Sequence, residues 1–294
     1  MVVGSSQVTL GATKVLAAVT LQVGVCSSNN HHGQGDIQVM VSPDNNIVLQ
    51  SFLQRLLHQI VPLDQLAIQP ASATAPHTPR TTVTAPTPRA LRLVLTLHVI
   101  ESAGNVRDAC LLASIAALGN VHLPAMMTTT TTMTTFSNDR VWLVPPSRKE
   151  EDHPTPPSQQ QQRKERQQQQ QQRLRLPIVP VPLTFALWHG TSSTTTDENR
   201  GVCLVVDPTA EEEAAAHGII SLVMNANVNN PDDEDDILSL ECYSNSSSSS
   251  SSSNTSTVSG IDPATLVLAI KIAKGRVSEI KPILDRHYHH GSPE

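Results

Sequence analysis

Aromatic residues are nearly missing from this chain: two Trp, two Tyr and three Phe make up 2% of it. A core without rings must be filled by Val, Leu, Ile and Ala. Basic charge is not in excess either. The formal net charge is −6 over 294 residues. That excludes a free-standing nucleic-acid binder, whose affinity rests on positive charge matched to phosphate. Any contact with nucleic acid is then local or shared with partners. Cysteine is sparse: Cys26, Cys110, Cys203 and Cys242 form no CxxC pair. They read as buried thiols of a reducing compartment and not as a disulfide framework. No apolar run approaches the roughly 20 residues of a bilayer span, so no membrane partner is expected. Lys14 and the apolar stretch up to Cys26 imitate a secretion signal. The stretch alternates, however, with Val15, Ala17, Val19, Leu21, Val23 and Val25 on one side. Period two makes it a strand.

What is present in excess is low complexity. Residues 71–90 are rich in Pro, Thr and Ala, 128–177 carry Thr and Gln tracts, and 244–259 hold a serine run. Such segments bury nothing, and they are expected as long disordered insertions between elements. Closure entropy grows slowly with loop length, so a fold tolerates them. Between them lies an ordered α/β pattern. Strands are expected at 8–10, 14–25, 36–41, 91–100, 183–188, 202–206, 219–224 and 237–243. Residues 47–60 show apolar positions at three and four, which predicts a helix. Residues 106–118 predict a helix that is apolar almost all round and therefore buried, stopped at Gly119 and Asn120. A short helix carries Glu211, Glu212 and Glu213 in its first turn and ends at Gly218. Asp262 and Pro263 start the last helix.

Two segments carry most of the information: LHVIESAGNVRDACLLASIAALGNVHLP at 97–124, and PLTF at 182–185 with VVDPTAEEEAAAHGIISLVM at 205–224. With the opening GSSQVTLGATKVLAAVTLQV and the closing SGIDPATLVLAIKIAKGRVSEIKPIL, they resemble the RNase PH family, in particular the ring subunits of the eukaryotic RNA exosome. The resemblance covers nearly every ordered stretch. It implies an α/β fold of the α+β mixed-sheet kind, an RNase PH-type domain of the ribosomal protein S5 domain 2-like class. One such domain would span 1–294, with ordered parts at about 3–127 and 178–287. The chain starts at the first hairpin without the family's earlier arginine-bearing segment, as a truncated gene model would. Between Val41 and Ile47 it is also shorter than members that place an arginine-containing loop there.

Active members that this chain resembles hold phosphate with a Gly-Gly-Thr-Arg turn, through backbone N–H groups, a hydroxyl and a guanidinium. The matching positions are Gly104, Asn105, Val106 and Arg107, so the hydroxyl is gone. Asp108 follows, and its charge is expected to oppose phosphate. The family's aspartate before the returning strand matches His217 or Ile219, with Gly218 between. No catalytic residue is therefore assigned. Arg107 is the one candidate for contact with nucleic acid, set against its plainer reading as a solvated surface arginine.

Other constellations have plain explanations. Gly33-Gln34-Gly35 is too short for a dinucleotide loop. Glu211, Glu212 and Glu213 suit the positive end of a helix dipole. His287, Tyr288, His289 and His290 form an idle tail, and 232–236 is a solvated acidic run without the spacing of a calcium loop. The Gln/Arg tract at 159–175 offers at most non-specific phosphate contact. No metal and no cofactor is expected.

The resemblance implies a non-catalytic, structural ring subunit supporting 3′-to-5′ RNA processing and degradation, in rRNA maturation and mRNA turnover. Its expected partners are other RNase PH-type subunits in a hetero-hexameric ring, cap subunits with RNA-binding domains, a hydrolytic nuclease, and RNA. Its expected location is the nucleus and nucleolus, and the cytoplasm. Two rivals remain: an active phosphorolytic 3′-to-5′ exoribonuclease, and a largely disordered interaction protein.

Overall fold

Alternation of apolar and polar side chains builds the first sheet. The structure, a computed structural model, describes residues 2–25, 35–43, 46–68, 89–123, 126–127, 142–143, 172–189, 202–226, 237–244 and 261–289. Strands β1 (Val2–Leu10), β2 (Thr13–Val25), β3 (Asp36–Ser42) and β4 (Arg89–Glu101) form a four-stranded sheet in the order β1-β2-β4-β3. β3 joins β4 in parallel, and the other pairs are antiparallel. Register aligns Ala17 with Leu97 and Val19 with Leu95, and Ile37 with Leu93 and Val39 with Leu95. All of these side chains are buried, so one face of the sheet is apolar from strand to strand.

Helices α1 (Ile47–Ile60) and α2 (Val106–Gly119) cover that face. Asn46 caps α1 by accepting from Leu49 N at 3.0 Å, and the expected stripe from Leu49 to Ile60 is buried. Gln54 leaves this stripe for the free edge of β3. Its Oε1 accepts from Val39 N at 2.7 Å and its Nε2 donates to Ile37 O, which blunts the edge against pairing with another strand. A short 3₁₀ turn, Leu63–Leu66, follows α1. β1 lies so close to α2 that a Cβ on Gly4 would sit 2.5 Å from Ala117 O.

A second four-stranded sheet is built from β9 (Pro180–His189), β10 (Val202–Val206), β11 (Gly218–Asn225) and β12 (Ile237–Ser244), in the order β10-β9-β11-β12. Minor strand pairs join β5 (His122–Leu123) to β8 (Gln172–Arg173), and β6 (Met126–Met127) to β7 (Trp142–Leu143). Short helix α3 (Ala210–Ala215) links β10 to β11, and the long α4 (Pro263–His289) closes the chain. Val181, Leu183, Phe185, Ile220, Leu222 and Met224 pack against Ala269 and Ala273 of α4. Thr184 points the other way, to α2, and Val223 belongs to the first core. The layers are therefore sheet, the α1/α2 pair, sheet, α4.

Several expectations need correction. Each half supplies a four-stranded sheet with helices, and β9 and β11 run longer than the strands expected at 183–188 and 219–224. Two apolar clusters form where one core was expected, because the second sheet buries both of its faces. Gly218 does not end α3. Ala216 does, its N–H bonding Glu212 O at 2.9 Å, and Gly218 opens β11. Residues 89–90, assigned to a loop, begin β4. α2 is buried as expected but is not wholly apolar, since Asp108 and Ser114 are buried with it. The expected insertions at 128–141, 144–171 and 245–259, and most of 71–90, lie outside the described residues.

Candidate functional site

The turn between β4 and α2 lies where the two sheets meet. Thr13, at the hairpin of the first sheet, accepts from Ala103 N at 2.9 Å and donates to Gly104 O at 2.6 Å. From the second half, Ala210 N donates to Ala103 O at 2.9 Å. Gly104 has φ +107° and Asn105 φ 49°. Glycine enters that region without a Cβ penalty, and asparagine is among the side chains that tolerate it. The turn is thus fastened on both sides.

Asn105 is the N-cap of α2. Its N–H donates to Glu213 Oε1 at 2.7 Å, and its Nδ2 donates to Asp207 Oδ1 at 3.1 Å. A carboxylate at a helix N-terminus is stabilised by the orphan N–H groups and the helix dipole. Here that carboxylate comes from α3. Thr209 and Glu212 close a capping box on α3, which orients the next residue, Glu213, to the turn.

Arg107 has not become a solvated arginine. Its guanidinium lies 3.5 Å from the centroid of the Phe52 ring on α1, a stacked cation–π contact. It donates to Glu241 on β12 and to the Tyr243 hydroxyl at 2.6 Å. Arg55 of α1 holds Glu241 from the other side. The Tyr243 hydroxyl donates in turn to Glu241. Burial alone would raise the Glu241 carboxyl. The Tyr243 hydroxyl and the Arg107 and Arg55 guanidiniums outweigh it and hold the group below its ordinary value. Burial and the Glu241 hydrogen bond move Tyr243 upward. Period two puts Glu241 and Tyr243 on one face of β12, paired with Ser221 and Ile219 of β11.

Asp108 was expected to oppose phosphate with its charge. It points into the interior instead, 2% exposed, and accepts from Thr184 Oγ1 at 3.0 Å. Burial pushes its carboxyl up to about 7, against the lowering effects of Thr184 and Asn105. His217 is exposed before β11, its N–H bonded to Leu187 O at 2.9 Å, and Ile219 is half-buried beside Tyr243. The acids nearest the turn are therefore not at 217–219. They are Glu213, which had been read as a solvated helix start, and Asp207. Beyond Arg107 stands Glu241.

A cleft of about 730 Å³ opens beside the turn, lined by Asn46, Val48, Ser102, Arg107, Glu213 and Tyr243 among others. Its charges are largely spent within the protein. Among the described residues no group of three or more His, Cys, Asp or Glu is placed to hold a metal. No described helix is long and apolar enough to cross a membrane.

The remaining candidates do not join this site. Cys110 is buried, and burial pushes its thiol up to about 12. Cys203 and Cys242 are exposed on edge strands, against the expectation of buried thiols. Arg173 of the Gln/Arg tract bonds Gly119 O through Nε at 2.6 Å, satisfying a carbonyl at the end of α2. Gly33, Gln34, residues 159–171, residues 232–236 and His290 lie outside the described residues, as do the side chains of His287, Tyr288 and His289.

Comparison with known proteins agrees with this architecture. Residues 2–124 match the model of the RNase PH family, described as the 3′ exoribonuclease family, domain 1. A search of curated protein sequences found no match. An archaeal exosome core structure shares 16% identity over 97% of this chain and 81% of its own, with a TM-score of 0.56. The Archaeoglobus fulgidus exosome with RNA bound to the active site shares 16% over 96% and 84%, with a TM-score of 0.57. Rice (Oryza sativa) Rrp46 shares 12% over 95% and 86%, with a TM-score of 0.50. At this identity the likeness establishes the fold, a mixed α/β domain of the RNase PH type with two sheets.

Proposed function

We propose, from a chain whose residues 2–124 match the RNase PH family and whose fold is of that type, that it is a non-catalytic ring subunit of an RNA exosome. Within that complex it most resembles the ribosomal RNA-processing protein 43 type, with the 42 and 45 types next. It supplies interfaces and channel wall to a hetero-hexameric ring of RNase PH-type subunits. Cap subunits with RNA-binding domains and a hydrolytic nuclease complete the assembly, which processes and degrades RNA from the 3′ end in the nucleus, nucleolus and cytoplasm.

One observation carries this reading. The groups that would hold an inorganic phosphate are already bonded within the chain: the turn amide to Glu213, and Arg107 to Glu241, Tyr243 and Phe52. An entering phosphate would meet two carboxylates at close range. Like charges about 4 Å apart repel by roughly 1 kcal/mol in water and by several where water is partly excluded. The rival reading, an active phosphorolytic exoribonuclease, has one observation in its favour. Glu213 sets an acid beside the turn, where proton transfer would call for one. A largely disordered interaction protein is disfavoured by the two buried clusters.

The test has two readouts. Purified chain is incubated with single-stranded RNA, with and without phosphate, and affinity capture identifies co-purifying subunits by mass spectrometry. We expect no phosphate-dependent nucleoside diphosphate, and RNase PH-type partners in the capture. Diphosphates that need phosphate and vanish with Arg107→Ala would make the chain an enzyme. A capture free of such subunits would end the ring assignment.

A further inference from the structure

A strand at the edge of a sheet shows a row of unused N–H and C=O groups, ready to pair with another chain. The two four-stranded sheets have their edges at β1, β3, β10 and β12. Three of these are handled by ordinary means. β1 slips by one residue at Val3 and leans on α2, where Ser6 Oγ donates to Ala113 O at 2.7 Å. β10 is five residues long. β12 slips at Leu238 and carries Glu241. A bulge, a short length and a charge each discourage pairing.

β3 has none of these along its run. Its seven residues keep an unbroken register with β4. From Ile37 to Ser42 it reads IQVMVS, without charge, Gly or Pro. Six β-prone, uncharged residues on an edge are the composition that stacks strand on strand between molecules. Asp36 and Pro43 flank the run, as residues that interrupt such pairing do, but they stand at its ends.

The middle of the run is covered from α1. Gln54 Oε1 accepts from Val39 N at 2.7 Å, and Gln54 Nε2 donates to Ile37 O. A neighbouring strand would take the same two groups, the carbonyl of one residue and the amide of the next but one. Val39 N can only donate and Ile37 O can only accept, so the side-chain amide has one orientation. The His58 ring stands beside it, one turn further along α1. Its Nδ1 is 3.1 Å from Gln54 Nε2 and 2.8 Å from Gln54 O, and its Nε2 is 3.3 Å from Asp36 Oδ1. Asp36 also accepts from Arg92 Nε at 2.9 Å, which moors the ring to the sheet. The turn after α1 closes the start of the edge, with Gly35 N donating to Leu63 O at 3.0 Å.

We propose that Gln54 is a plug in the β3 edge, its amide taking the place of a peptide group from a neighbouring strand and denying that edge to a second copy of this chain. A second copy is the fitting occupant. Two β3 strands meeting antiparallel about a twofold axis offer each other the same uncharged run. Ile37, Val39 and Val41 already lie buried under α1, so pairing needs only the backbone groups that Gln54 holds. The plug requires no partner, and it acts in the free chain and in an assembly alike.

The test compares wild type with Gln54→Leu, which fills similar space and loses both hydrogen bonds. Amide hydrogen exchange at low protein concentration reads the plug. By strand alternation the Gln38 and Met40 amides point to β4, and their protection in both proteins reports an intact sheet. The Val39 amide is expected to be protected in the wild type and to exchange about tenfold faster in the variant. Light scattering at rising concentration is expected to show a larger mass for the variant than for the wild type. Adding Met40→Lys, a charge in the middle of the run, should return the mass to that of the wild type. A Val39 amide that exchanges freely in the wild type would end the proposal, and that reading needs no variant to fold. So would a variant with an intact sheet and unchanged mass, or a larger mass that Met40→Lys leaves in place.

Discussion

Gly104 has no room for a side chain. A Cβ there would lie 2.4 Å from Ala210 N and 2.5 Å from the Thr209 carbonyl carbon, at φ +107°. Those atoms are backbone, held by the Ala210 N to Ala103 O bond, so they cannot rotate away. Gly104→Ala is expected to cost about 2–4 kcal/mol, combining strain at an unfavourable φ with overpacking. Urea denaturation measures it, and a loss below about 0.5 kcal/mol would mean that the two halves do not meet at this turn. The sequence marked Gly104 and Arg107 as one unit through family resemblance. It gave no hint that Arg107 would be engaged by Glu241, because the pair is separated by 134 positions. Nor did it separate Glu213 from its neighbours in the run of three acids. The capping box decides which of them faces the turn.

At the scale of elements, α2 is the piece on which both sheets depend. It packs on β1, β2 and β9, and Ala113 at its centre is fully buried. Ala113→Asp places a carboxylate there with no partner, an expected loss of several kcal/mol. That exceeds what a marginally stable domain can absorb. The expected result is insoluble or unfolded protein by circular dichroism, and a melt equal to that of the wild type would show that the helix is not enclosed. Asp108 survives in the same helix because Thr184 answers one oxygen. α2 was legible as a buried helix from its composition. Its buried acid was read as a charge set against phosphate, since a helix packed between two sheets has no polar face to mark which acid turns inward. α1 was legible to the residue, with Leu49, Phe52, Leu53, Leu56, Leu57 and Ile60 as its buried stripe. Phe52 looked like one more core residue there, although its ring also carries Arg107.

For the whole molecule, two carboxyls pull stability in opposite directions with pH. Glu241 is held below its ordinary value. Its contribution is present above the unfolded pKa and is lost as pH falls through the folded one. Asp108 has the reverse sign. Glu241→Gln is therefore expected to flatten the acid limb of the stability curve and leave the limb near neutrality alone. Denaturation midpoints taken from pH 7 down to pH 3 would check this. An acid limb as steep in the variant as in the wild type would remove Glu241 as its cause.

The sequence by itself determined the local elements and the type of fold. Period two and period 3.6 record which face of each segment is buried, and that record survives interruption by tracts because each element carries its own copy. Motif order along the chain did the same for the RNase PH likeness. Only the tertiary structure decided which charges meet. Glu241, Tyr243, Phe52 and Arg107 converge because β12 lies beside β11 and α2 runs between two sheets. No local pattern encodes that neighbourhood. The upward push on the Asp108 carboxyl follows from desolvation by residues distant in sequence, and burial by distant residues cannot be read from the residue that is buried.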